Sequence, residues 1–335
     1  MSVGPRTSII IPARNASQTL AQTLNSILEQ SDADWEALIV DDGSSDPTPE
    51  LIGSYTKQDR RFVALRGSGK QGVSGARNIG LGQASGRFVV FLDSDDWLDP
   101  AFLDRMHTAL EANPGAQVAY CDYQRVMPGG DLAPVHCEPL VAQSPFETFA
   151  RSCAVALHPV LLERELVLRA GSFDTSLGTC EDWDLWQRVS RMGATWVHVP
   201  ESLAFYRTSA QSLSQDISRV LADAAVVIHR GFATDPRLED AAPAYASGAS
   251  ASHGFTPELA LAYFSLWFCA VDAARGLHQP DVLGLLSDLP AAAPYLDATQ
   301  RAALCESALR LMRSVGYTHA GTVEFLMDAD SGECY

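Results

Sequence analysis

The chain has no basic stripe. Its 24 Lys and Arg are scattered against 41 Asp and Glu, for a net charge of −17 and a pI near 4.7. Recognition of a phosphate backbone needs clustered positive charge, so the balance argues against a nucleic-acid partner. The seven cysteines, Cys121, Cys137, Cys153, Cys180, Cys269, Cys305 and Cys334, contain no C-x-x-C pair. Odd in number and widely spaced, they suit reduced thiols in a cytoplasmic protein. No apolar run reaches the ~20 residues that span a bilayer. The longest, residues 259–271, lies between Glu258 and Asp272 and predicts a buried helix, with an oligomer or peripheral membrane contact as the alternative. The opening residues MSVGPRTSIII carry no charged-then-apolar export signal, and no fixed-period repeat is visible. What is present is 335 residues at 47% hydrophobic content, enough for a full core and one large domain plus an appendage.

Short apolar runs alternate with helical patterns over the first two hundred residues. Strands are predicted at 8–11, 36–40, 62–65 and 88–92, and helices at 17–30, 47–58 and 74–84, the first with Leu20, Leu24, Ile27 and Leu28 on one face. This is a βαβ rhythm, and it predicts an α/β fold with a mostly parallel, Rossmann-like sheet and helices on both faces. Further strands are predicted at 118–126, leading into the turn Pro128-Gly129-Gly130, and at 155–162. From about Gln215 the chain is rich in Ala and Leu, so a boundary is placed there, dividing 1–214 from a mainly helical 215–335.

Two predicted strands end in carboxylates. GRFVVFLDSDDWLDP stops an apolar run at Asp93-Ser94-Asp95-Asp96, at the sheet edge where open α/β sheets bind ligands. Crowded carboxylates repel, and a divalent cation such as Mg²⁺ or Mn²⁺ offsets this; an acidic turn capping the next helix is the alternative. The strand 36–40 runs into Asp41-Asp42, where a carboxylate could accept hydrogen bonds from a base or ribose. Pro12-Ala13-Arg14-Asn15 closes the first strand beside it, so the three edges together predict a nucleoside pocket. The run GSGKQG at 67–72 satisfies G-x-G-x-x-G, but it follows the third strand, and the first turn lacks a glycine; it reads as a loop. Arg77 could reach a phosphate or pair with a neighbouring carboxylate. In Glu181-Asp182-Trp183-Asp184-Leu185-Trp186, carboxylates favoured at a helix start stand beside indoles that could stack on a sugar.

Taken in order, SIIIPARN, LIVDDGSSD, GVSGARNIGL, VVFLDSDDWLDP, GSFDTSLGTCEDWDLW and FYRTSAQSLS resemble the family 2 inverting glycosyltransferases of the GT-A fold, over residues 8–214. The resemblance implies transfer of a sugar from a nucleotide diphosphate, usually UDP-linked, to a hydroxyl of a glycan, glycolipid or protein acceptor, in bacterial surface glycan synthesis. By position it puts Pro12, Arg14 and Asp42 on the base with Asp41 nearby, Arg77 near the phosphates and Asp93 on the ribose or sugar. Ala13, Asn15, Ser94 and Arg207 complete that nucleotide-sugar set. Asp95 would bind Mn²⁺ or Mg²⁺, Asp182 would be the general base, Glu181 would orient the acceptor and Trp183 would support it. Two departures stand out: Arg14 occupies a position often aromatic, and Ser209 one that is often histidine. Separately, residues 310–335 resemble an internal stretch of biotin carboxylase ATP-grasp domains, with Glu324 matching a Mg·ATP ligand, but no glycine-rich lid precedes them. A catalytic transferase, a non-catalytic nucleotide-sugar-binding module and an ATP enzyme are therefore the three readings, with the transferase preferred.

Overall fold

A computed structural model of the protein describes residues 4–69, 72–137, 139–208 and 216–250, together with Thr256, Pro257, Ala260, Leu261, Phe264 and Ser265. The elements run β1 (Thr7–Ala13), α1 (Leu20–Leu28), β2 (Trp35–Asp41), α2 (Thr48–Gln58), β3 (Phe62–Arg66), α3 (Gly72–Gln83), β4 (Phe88–Phe91), β5 (Trp97–Leu98) and α4 (Phe102–Ala112). They continue through β6 (Val118–Val126), β7 (Leu132–Val135), α5 (Leu140–Gln143), α6 (Pro145–Phe149), β8 (Val160–Glu163), α7 (Arg164–Arg169), α8 (Glu181–Arg191), β9 (Trp196–Arg207) and α9 (Ile217–Gly231).

One sheet holds all nine strands, in the order β3-β2-β1-β4-β8-β6-β9-β5 with β7 on β6. The half built from β1 to β4 is parallel, as the βαβ rhythm predicts, and its register sets Ala13 beside Asp41. Parallel strands covered on both faces must be apolar throughout, and Ile9, Ile10, Ile11, Val89, Val90 and Phe91 are fully buried. Beyond β4 the sheet becomes mixed: β8 pairs antiparallel with both β4 and β6, while β6 and β9 run parallel. The strand expected at 155–162 is confined to its last residues and starts just after Pro159, which has no N–H to donate to a ladder; its carbonyl still accepts Cys121 N–H from β6 at 3.0 Å. The two-residue β5, not anticipated, pairs with Phe205 and Ala204 of β9.

Helix α3 packs directly on β1 and β2, and Gly80 is what lets it approach. A Cβ at this position would stand 2.5 Å from Ile10 Cγ2 and 3.3 Å from Val40 Cγ2. Gly80→Ala is expected to destabilise the protein by about 1–3 kcal/mol through overpacking, read from the urea midpoint, despite the better helix propensity of alanine.

Helix α9 lies just past the boundary expected near Gln215, and its buried residues Val220, Leu221, Ala224, Val227 and Ile228 join the same hydrophobic cluster as the sheet. Asp223 on α9 accepts the N–H groups of Gly178 and Thr179 just before α8. Of the apolar stretch 259–271, Ala260, Leu261 and Phe264 are buried, Phe264 lying 5.1 Å from Trp183. Residues 266–335, including the ATP-grasp-like tail and Glu324, lie outside the described residues, as does Ser209. Among the described residues the cysteines are free thiols, and no helix is long and apolar enough to cross a membrane.

Candidate active site

The carboxyl ends of β1 and β2 are sewn into one edge. Asp42 N–H donates to Ala13 O at 2.9 Å, and Asn15, at φ +51°, accepts Ser45 N–H at 2.8 Å while donating its own N–H to Ser44 Oγ. Pro12 and Ala13 are buried and Arg14 and Asn15 exposed, so Arg14 projects from a fixed turn. Asp41 Oδ1 accepts Ser44 N–H at 3.0 Å, which makes it a turn cap. Asp42 is buried, and its Oδ1 accepts Gly69 N–H at 2.8 Å from the loop after β3. Gly67 makes that closure feasible, since a Cβ there would lie 2.5 Å from Asp42 Oδ1.

At the end of β4, Arg77 meets carboxylates rather than open space. It is 2% exposed; Nη2 donates to Asp93 Oδ1 and Nη1 to Glu181 Oε1, each at 2.6 Å. Of the two roles weighed for it, the structure shows the pairing with neighbouring carboxylates: both arms of the fork are occupied, and Arg77 ties the β4 edge to the start of α8. Two opposed carboxylates push its pKa above the ordinary arginine value despite burial.

The turn after Asp93 is held by its backbone. Thr19 Oγ1 donates to Ser94 O at 2.9 Å and Thr23 Oγ1 to Asp96 O at 2.7 Å, while Arg207 Nε donates to Asp95 O at 3.0 Å. Arg207 also donates its backbone N–H to Asp96 Oδ1 at 2.8 Å, and its guanidinium reaches Gln22 and lies over Trp97. The carboxylate of Asp95 is left without a salt bridge among the described residues. Burial, then the charge of Asp93, raises its pKa to about 6. Among the described residues no three His, Cys, Asp or Glu side chains converge as a metal cage. Mg²⁺-type ions are commonly held by one or two carboxylates and the substrate's phosphates, so an under-neutralised Asp95 beside Asp93 fits a cation that arrives with a diphosphate.

Helix α8 begins after Cys180, which adopts φ +58°. Its first turn divides by face. Glu181 and Asp182 remain half-buried at the edge, and Asp182 Oδ1 accepts Trp183 N–H at 2.7 Å. Burial, then the neighbouring Glu181 charge, raises the Asp182 pKa to about 7. Trp183 is fully buried and its Nε1 donates to Phe149 O, so the expected acceptor platform is corrected: no indole face is available for stacking. Trp186 is also fully buried. Asp184, wholly enclosed, accepts from Arg188, Arg230 and Arg237 at 2.9 Å each, anchoring α8 to α9 and the segment behind it.

Asp93, Ser94, Asp95, Glu181 and Asp182 thus share one edge, with Arg77 between them. Sequence reasoning missed the braces Thr19 and Thr23, although their four-residue spacing marks one helical face. A cavity of about 640 Å³ lined by Arg6, Arg87 and Arg164 lies at the opposite ends of β1 and β4, away from these carboxylates.

Residues 8–151 match the family model for glycosyl transferase family 2, and residues 266–335 that for the ATP-binding domain of the carbamoyl-phosphate synthase L chain. The putative teichuronic acid biosynthesis glycosyltransferase TuaG of Bacillus subtilis is 29% identical over 218 residues, 63% of this chain and 82% of that protein. The UDP-Glc:alpha-D-GlcNAc-diphosphoundecaprenol beta-1,3-glucosyltransferase WfgD of Escherichia coli is 29% identical over 215 residues, 62% of this chain and 79% of its own length. In fold, S. aureus TarS 1–349 in complex with UDP-GlcNAc superposes with a TM-score of 0.63 at 15% identity, covering 98% of this chain and 95% of that one. The Pyrobaculum calidifontis mannosyltransferase PcManGT, in complex with GDP-Man and Mn²⁺, gives 0.59 at 19% identity, with 93% and 88% coverage.

Proposed function

The N-terminal region of this chain is a family 2 glycosyltransferase domain of the GT-A fold, and from that premise we propose a cation-dependent, inverting transfer of a sugar from a nucleotide diphosphate donor, UDP-linked, to an acceptor hydroxyl. The observation that carries this reading is the buried Arg77, which holds a strand-end carboxylate, Asp93, and a helix-start carboxylate, Glu181, 2.6 Å from its two arms. That fixes the donor edge against the base expected for the acceptor.

In this reading Arg14 and Asp42 hold the base, with Pro12, Ala13, Asn15 and Asp41 shaping the edge. Asp93 accepts from ribose or sugar hydroxyls with its remaining lone pairs, and Asp95 faces the cation. When bound, the cation supplies positive charge that stabilises the departing diphosphate. Asp182 takes the acceptor proton as the hydroxyl oxygen bonds to the anomeric carbon and the carbon–phosphate oxygen bond breaks on the opposite face. Glu181, pinned by Arg77, orients the acceptor. The glucosyltransferase WfgD is described as acting on a diphosphoundecaprenol-linked sugar, which supports a glycan or glycolipid acceptor here, in surface glycan synthesis at the inner face of the membrane. Residues 215–335 are assigned to acceptor or subunit contacts.

Calorimetric titration of UDP, GDP, dTDP and ATP, each with Mn²⁺ and with excess chelator, tests the donor. Binding of UDP that needs Mn²⁺ is the expected result; ATP alone, or no diphosphate, overturns it. Asp95→Ala should weaken UDP binding in Mn²⁺ by roughly 10–100-fold, the scale of one lost charged contact, and have little effect under chelator. Full binding by all forms without transfer to any acceptor would instead identify a binding module.

A further inference from the structure

The acidic turn ends on a carboxylate that the reaction above leaves unused. Asp96 is 1% exposed, and its Oδ1 accepts the Arg207 N–H, but its Oδ2 has no hydrogen-bond partner among the described residues. Facing that oxygen is His158, itself 2% exposed, with Nδ1 3.4 Å away. His158 comes from the segment just before β8, so it reaches the turn from the other half of the sheet. Its ring is held flat on Tyr206, 5.4 Å between centroids at 13°, and edge-on to Tyr123. The outer nitrogen, Nε2, also lacks a hydrogen-bond partner among the described residues. An imidazole with an unmet buried nitrogen is not what packing alone selects, since a phenyl ring fills the space without that penalty. What the ring adds is a polar nitrogen 3.4 Å from Asp96 Oδ2.

From Asp96 the connection continues to the donor side. Asp96 fixes the Arg207 backbone, and the Arg207 side chain fixes the Asp95 carbonyl. We propose that His158 is a positioning residue for diphosphate binding: it holds Asp96 and, through Arg207, sets the turn that presents Asp95. This rests on the assignment of Asp95 to the cation made above.

The test uses the full chain and two probes, UDP with Mn²⁺ and uridine alone. His158→Phe keeps an aromatic ring on Tyr206 but removes the nitrogen; His158→Asn places an amide nitrogen near the position of Nδ1; His158→Gln extends past it. His158→Phe should weaken UDP binding in Mn²⁺ by about tenfold, the scale of leaving a buried polar oxygen without its polar neighbour, and leave uridine within about twofold of the parent. His158→Asn should restore most of the loss and His158→Gln little of it. Parent-like UDP affinity in His158→Phe overturns the proposal, and so does an equal loss of uridine, which would mark a general structural role. Should His158→Phe fail to fold, equal UDP affinity of the Asn and Gln variants overturns it in the same way. Failure of the parent to bind UDP with Mn²⁺ is read first, and counts against the donor assignment itself.

Discussion

Asp182→Asn should lower kcat for transfer by about 10²–10⁴-fold while leaving nucleotide affinity close to that of the parent. The amide keeps the shape and the oxygen that accepts Trp183 N–H at 2.7 Å, so the helix start is preserved and only proton abstraction is lost. Transfer at the parent rate would remove Asp182 from the reaction. The pH dependence points the same way. With its pKa raised to about 7 by burial and the Glu181 charge, Asp182 is a competent base only above that value, so kcat/KM of the parent should fall about tenfold per pH unit on the acid side. Stability should move in the opposite sense. A carboxyl whose folded pKa lies above its unfolded value favours the folded state most below the unfolded pKa, near 3.8, and loses that contribution as pH rises through about 7. The neutral amide has no such loss, so the melting temperature of Asp182→Asn relative to the parent should climb between pH 5 and pH 8. A flat difference across that range would mean that Asp182 titrates normally.

Arg77→Met should be the most damaging substitution for stability at the site. It removes the counter-charge from Glu181, 12% exposed, and from Asp93, 32% exposed. Breaking a buried pair costs about 3–5 kcal/mol, and the partial exposure of Asp93 places this one near 3. For a chain of this size that is roughly 6–12 °C in melting temperature. Because Arg77 also lowers the Asp182 pKa, its loss should move the acid limb of the rate profile to higher pH. Arg77→Lys should rescue little, since one ammonium cannot supply two arms aimed at separate carboxylates. A variant that melts within about 2 °C of the parent with an unmoved limb would show the bridge to be dispensable.

What could be read from the sequence was what is local. An apolar run ending in Asp93-Ser94-Asp95-Asp96 announces a buried strand and its acidic edge together, and β1, β2, β3, β4 and β6 appear where the pattern put them. The opening of α8 was legible as a helix start, but the direction of its tryptophans was not. Spacing of Trp183 and Trp186 by three residues marks one helical face without saying whether protein or sugar covers it, and protein does. Arg77 was ambiguous for a related reason, because its partners lie 16 and 104 positions away and only the assembled sheet brings them together. His158 and the short β5 depend wholly on such distant pairing.

That same distance orders events during synthesis. The β1–β2 edge is encoded within the first seventy residues, whereas the contact from Arg207 to Asp95 spans 112 positions and the Arg77 bridge 104. A chain still leaving the ribosome can assemble the first edge long before either fastening is available. Arg77 can bridge Asp93 to α8 only once residue 181 has emerged, and Arg207 can fasten the turn at Asp95 only once residue 207 has, so an unfinished chain holds its first sheet edge in place while these carboxylates are still loose.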